Sequence, residues 1–152
     1  MAKMISTDPI HMIKLAVGVD DVGHLHALQS ARLFDFDGAL ATCAWTRRKP
    51  TRDGGLLNGG SIYWIIKGRI QARQAFLGFE MEDTDEGPYC RLVLDPALML
   101  VAAMPHRAFQ GWRYLDPAKA PPDLRFFDPD LAAEDDEMPA DLTAQLRDAG
   151  LI

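Results

Sequence analysis

The chain has 152 residues, 48% of them hydrophobic and 25% charged, with 16 Lys and Arg against 22 Asp and Glu and a formal net charge of −6. These values fit one soluble globular domain, long enough to bury a core without a metal or disulfide staple, and exclude a chain too polar to fold. The longest apolar run, residues 97–104, is far short of the roughly 18 residues of a membrane span. The opening MAKMISTDPI lacks the apolar core of a secretory signal, so the expectation is a cytoplasmic protein with no membrane partner.

IHMIKLAVGV, from Ile10, alternates as a strand, with Ile13, Leu15, Val17 and Val19 on one face. Asp20 or Asp21 then caps a helix whose stripe is Val22, Leu25 and Leu28, ending near Leu33. A turn and a short strand over 41–46 follow. TRRKPTRDGGLLNGG, with its proline and two Gly-Gly pairs, reads as a loop, longer than most and therefore a place to look for function. SIYWIIKG is a buried strand, RIQARQAFLGFEMED a second in alternation, DTDEGP a turn, and YCRLVLD, LMLVAAM and QGWRYL three more strands. Residues 1–122 then form one domain. Residues 123–152 form an acidic, Pro-containing tail with one short helix over 141–151. The fold class is α+β: a small, mainly antiparallel barrel or curved sheet with one or two helices.

The net charge hides an asymmetry. Residues 1–79 hold ten Lys and Arg against six Asp and Glu, whereas residues 80–152 hold six against sixteen. Between Thr46 and Phe76 the cations Arg47, Arg48, Lys49, Arg52, Lys67, Arg69 and Arg73 face a single acid, Asp53. On one regular strand Lys67, Arg69, Gln71 and Arg73 share a side at about 6.5–7 Å intervals, near the phosphate spacing of an extended single strand. A helical alternative for residues 69–77, or a turn at Gly68, keeps Arg69 and Arg73 neighbours. Trp45, Tyr63 and Trp64 border the cluster and offer rings for base stacking, worth about 1–3 kcal/mol per base. A solvated sheet face over a tryptophan core accounts for the same residues.

HMIKLAVGVDDV, LLNGGSIYWIIKGRIQARQ, CRLVLDPAL and FQGWRYLDPAKAPPDL together resemble a bacterial family, domain of unknown function 1489, over approximately residues 11–124. GGSIYWIIKG–IQARQ and FQGWRYL are the most specific blocks. The resemblance implies no activity and no catalytic residues. More distantly, the strand-rich layout is similar to PUA-like small barrels, the group that includes ASCH and EVE domains. That likeness implies binding of RNA or modified bases in a cleft lined by aromatic and polar groups.

Catalytic signals are sparse. His24 and His26, at i and i+2, point to different sides of a helix, and no HExxH or CxxC occurs. Cys43 and Cys90 read as small buried strand residues. His11 stands in a recognisable block, and His106, beside Arg107, suits an anion-facing loop. Ser61 follows Asn58-Gly59-Gly60, which reads either as a strand-entry loop or as an anion nest, but not as G-x-S-x-G. The expectation is therefore a binding protein for RNA or a nucleotide, with no cofactor. Arg47, Arg48 and Lys49 meet phosphates, Lys67, Arg69, Gln71 and Arg73 line a groove, Trp45 or Tyr63 stacks a base, and Arg113 and His106 stand at the far side. The acidic tail acts as an intramolecular competitor. A small-molecule enzyme using the arginines as anion clamps, and a protein-interaction module, stay open as alternatives.

Overall fold

A computed structural model describes residues 7–130 of the chain. Residues 131–152, which include the expected helix over 141–151 and most of the acidic tail, lie outside the described residues. Strand β1 is His11–Leu15, helix α1 Val22–Ser30, β2 Phe34–Phe36, β3 Ala39–Thr46, α2 Asp53–Leu57, β4 Ser61–Ile66 and β5 Arg69–Thr84. β6 is Gly87–Leu94, β7 Met99–Pro105, β8 Trp112–Leu115 and β9 Asp123–Phe126. The main path of the sheet runs β2-β3-β6-β5-β4-β1-β8, with β7 pairing β5 and β9 pairing β7. Every pair is antiparallel except β1 with β4. The α+β class holds. Among the described residues the sheet is mixed and open, so the barrel does not close.

The long strand β5 makes the sheet curl. Its first half lies between β4 and β7, and its second half pairs with β6. The inner face of the two halves meets in one core, where Met12, Ile62, Trp64 and Ala72 from one side join Ala44, Leu92 and Leu94 from the other. Burying each of the larger aliphatic side chains contributes about 1.5–3 kcal/mol. A second cluster, Ile13, Tyr63, Ile65, Ile70 and Val101, covers the outer face of β1 and β4. Both faces of β4 are therefore dry, which is why SIYWII reads as a continuous apolar run without alternation.

Local chemistry sets the ends. Asp21 caps α1 by accepting from the His24 amide at 2.7 Å. β1 stops at Leu15, four residues before the expected end, because Gly18 turns the chain at φ +73° and leaves Val17 79% exposed. α1 likewise ends at Ser30, and Gln29 takes the buried place expected of Leu28. Within the expected long loop, residues 53–57 instead form α2, whose Leu56 is fully buried and plugs one end of the core. β9 carries the sheet past residue 122, where the sequence places the start of the tail.

Two features dismantle the expected basic stripe. Lys67 and Gly68, at φ 51° and 77°, form the turn of the β4–β5 hairpin, so Lys67 is not on the strand. Ile65 then pairs with Ile70 while Trp64 pairs with Ala72, leaving Gln71 as an extra, bulged residue. Arg69 pairs with Ile66 on the inner side and Arg73 with Tyr63 on the outer side, so the two arginines stand on opposite faces.

Candidate ligand-binding site

The expected cations are dispersed, and most have partners. Arg47 lies 4.2 Å from the Tyr89 ring centre and donates to the Glu86 carbonyl at 2.7 Å. Lys49 pairs with Asp53 at 3.4 Å and Lys67 with Asp20 at 3.1 Å. Gln71 donates to the Ile66 carbonyl. Tyr63 is 3% exposed, with its ring against His11, so it offers no surface for a base. Four others do not gather at one place: Arg113 is on the outer face with Ile13 and Phe109, and Trp112, which Arg48 overlies, is on the inner face. Trp45 borders an opening described below, Arg48 lies over the Trp112 ring at 5.8 Å, and Arg113 and His106 both approach Phe109, at 4.3 and 5.7 Å.

Arg73 belongs to a separate cluster on the outer face. Its guanidinium grips both Asp123 carboxylate oxygens and donates to Ser61 Oγ at 2.8 Å. The Ser61 amide donates to His11 Nδ1 at 3.0 Å. This accounts for the expected Ser61 and His11 signals as a strut that ties β9 to β4 and β1. The hydrogen bonds from Arg73 hold Asp123 below the usual carboxylate range, and burial, then Arg73, holds His11 below its ordinary 6.5. Both groups therefore bind protons more readily when the chain unfolds, so stability falls with acidification. The His11 part is lost as pH drops below about 6.5, and the Asp123 part lower, as pH falls through its native pKa. His11→Asn keeps a side-chain acceptor for the Ser61 amide but cannot titrate. Its melting temperature should fall less than that of wild type between pH 7 and pH 5.5, and equal falls would remove His11 from this account.

The unassigned cation is Lys14. β1 pairs it with Trp64 of β4 on one side and Trp112 of β8 on the other, and alternation puts it on the same inner face as the buried Met12. Among the described residues its ammonium has no ion-pair partner. Burial pulls its pKa down from the ordinary lysine value.

Two openings meet at this lysine. Lys14, Leu15 and Val17 line both a cavity of about 370 Å³ that extends to Phe109 and Gln110 and one of about 190 Å³ that extends to Gln29, Arg32 and Trp45. The second exists because β2 pairs β3 only over residues 39–41, so that residues 43–45 border a gap opposite the end of β1 and α1. Among the described residues no Asp or Glu lines either cavity. Trp45 and Trp64 line the smaller opening and Trp112 pairs with Lys14, which lines both, so the three tryptophans of the chain stand at or next to this trough.

A buried amide pair fixes the wall. The Trp64 indole, which can only donate, reaches Gln74 Oε1 at 2.8 Å, and Gln74 Nε2 donates to the Asp95 carbonyl at 3.0 Å. These two bonds set the orientation of the Gln74 amide, which then exchanges reciprocal hydrogen bonds with Gln29 at 2.8 and 2.7 Å. Cys43 also lines the gap, but burial pushes its thiol above the ordinary range, which leaves it a weak nucleophile.

Sequence reasoning missed Lys14 because it set Ile13 and Leu15 toward the core and so the lysine toward water. The available signal was a single cation between apolar neighbours in a strand buried on both faces. No curated protein and no solved structure matches the chain. The family described as protein of unknown function (DUF1489) matches residues 12–152, which take in Lys14, all three tryptophans and the glutamine pair, and the chain belongs to that family.

Proposed function

We propose that the chain binds a nucleotide, free or as one residue of an RNA strand, in the trough around Lys14. The observation that carries this reading is an inward-facing ammonium without a carboxylate partner among the described residues. A cation taken out of water is stabilised by an anion brought to it, and a ligand phosphate supplies one where the walls do not. Arg32, on the same wall, and Arg48, over Trp112, add positive charge, and the partly exposed Trp45 offers a ring beside them. The larger cavity, about 370 Å³, falls within the range of small-ligand sites. The likeness to PUA-like domains bears on the same reading, since that group commonly takes RNA or modified bases into an aromatic and polar cleft.

Tryptophan fluorescence tests it directly, because every tryptophan reports on the trough. Titration with nucleoside monophosphates and short single-stranded RNA should quench or shift the emission. Lys14→Met should weaken binding roughly 10- to 100-fold, the loss of one charge-assisted hydrogen bond of about 1.5–3 kcal/mol, and Lys14→Arg should recover part of it. Steep salt dependence with RNA and little with the monophosphate would locate further phosphate contacts outside the trough. Unchanged affinity in Lys14→Met, with the fold intact by circular dichroism, would reject the site. A second reading, an enzyme acting on an anionic small molecule, is favoured by the lowered pKa of Lys14, which leaves more of the amine neutral and able to react.

A further inference from the structure

We propose that Lys14 is a carbonyl-reactive amine whose Nζ forms an imine, inside the trough, with an aldehyde or ketone that also carries an anionic group. The inference deepens the reading above, since it rests on the same trough as the place where an anionic ligand sits. The chain has five lysines, Lys3, Lys14, Lys49, Lys67 and Lys119, and Lys3 lies outside the described residues. Lys49 and Lys67 are ion-paired with Asp53 and Asp20, and their side chains are 47% and 65% exposed. Lys119 is exposed at the end of a single turn of 3-10 helix, Pro117–Lys119. Lys14 alone among the described lysines stands on an inner sheet face between two indoles, with no carboxylate beside it.

The surroundings bias the chemistry toward a nucleophile. Partial removal of water disfavours the ammonium, and among the described residues no lining acid restores it. The uncharged amine is then the reactive form, and among the described residues no side chain forms an ion pair with it. Lys14 lines both cavities, which leaves room beside it for a small carbonyl compound.

The reaction balances without an added oxidant or reductant. The Nζ lone pair adds to the carbonyl carbon, a C–N bond forms, and the C=O π pair moves onto oxygen. A proton passes from nitrogen to that oxygen to give a carbinolamine. Its hydroxyl then takes a proton from solvent and leaves as water, while the nitrogen lone pair closes the C=N bond. The resulting iminium loses its remaining N–H proton to solvent, so amine and carbonyl have become imine and water. Arg32 and Arg48 are placed to hold the anionic group of the adduct, and Trp64 and Trp112 shield the C=N bond from hydrolysis.

Pyridoxal 5′-phosphate, an aldehyde with a phosphate, serves as the probe on the full-length protein, with borohydride reduction and peptide mapping by mass. The first equivalent should appear on Lys14 with at least a tenfold preference over Lys49, Lys67 and Lys119. Lys14→Arg, folded by circular dichroism, should lose that adduct. Labelling spread over the surface lysines, or a Lys14 left unmodified in wild type, would overturn the inference, whatever the variant does. A selective Lys14 adduct that nucleoside monophosphate does not compete away, with no nucleotide binding by fluorescence, would support the amine and reject the nucleotide. Nucleotide binding that depends on Lys14, without a selective adduct, would do the reverse.

Discussion

Gly60→Ala is expected to destabilise the fold by about 3 kcal/mol, toward the upper end for a single substitution. A Cβ built on Gly60 would press on the Ile10 carbonyl oxygen and would stand 2.5 Å from the Leu56 carbonyl oxygen and 2.7 Å from the Leu56 Cα. All three are backbone atoms, so no side-chain rotation relieves the clash. Either the entry to β1 or the C-terminal end of α2 has to move, and Leu56 leaves its buried seat in the core when α2 does. Gly59 supplies the control: it has open space around a Cβ but turns the chain at φ +79°, so Gly59→Ala should cost only about 1 kcal/mol. Urea unfolding of the two variants measures the difference. Equal losses would mean that the glycine pair serves loop conformation and not close approach of α2 to the strand that leads to Lys14.

That pair also shows where the sequence was legible. Features whose cause lies within a few residues came through: an aspartate cap on α1, the continuous apolar run of β4 and the alternation of β5. Features set by distant partners did not. α2 contains Gly54 and Gly55, poor helix formers, and it holds because Leu56 finds a core made by other elements. The bulge at Gln71 has no local signature, yet it alone decides that Arg69 and Arg73 part company. Charge runs were a poor guide to the site for the same reason. Arg47, Lys67 and Arg73 found partners outside the basic segment and Lys49 paired with its one acid, whereas Lys14, inside an apolar strand, has no ion-pair partner among the described residues. Of the residues expected to bind ligand, Trp45 lines one of the two cavities, and Lys14, Arg32 and Gln29, which line the same one, depend on β1 being covered on both faces. Alternation within one strand cannot show that.

Gln74→Leu should cost about 3–5 kcal/mol while changing side-chain volume very little, because the loss is one of polar satisfaction and not of packing. Gln74 is 1% exposed, and its amide is the hub of four hydrogen bonds, from the Trp64 indole, to and from Gln29, and to the Asp95 carbonyl. A leucine there strands the indole N–H, both polar atoms of the Gln29 amide and a backbone carbonyl in surroundings with little access to water. Replacing Gln29 as well removes two of those stranded atoms, so the double variant Gln29→Leu with Gln74→Leu should lose less than the two single losses combined, by about 1–3 kcal/mol. The same substitution should also reach the trough. Trp64 is the cross-strand neighbour of Lys14, and once its indole is untethered the wall against the ligand loosens, so ligand affinity should drop although Gln74 touches no ligand. A Gln74→Leu protein within 0.5 kcal/mol of wild type in urea would show that the amide pair finds other partners. A destabilised variant that still binds with wild-type affinity would show that the Trp64 wall does not need it.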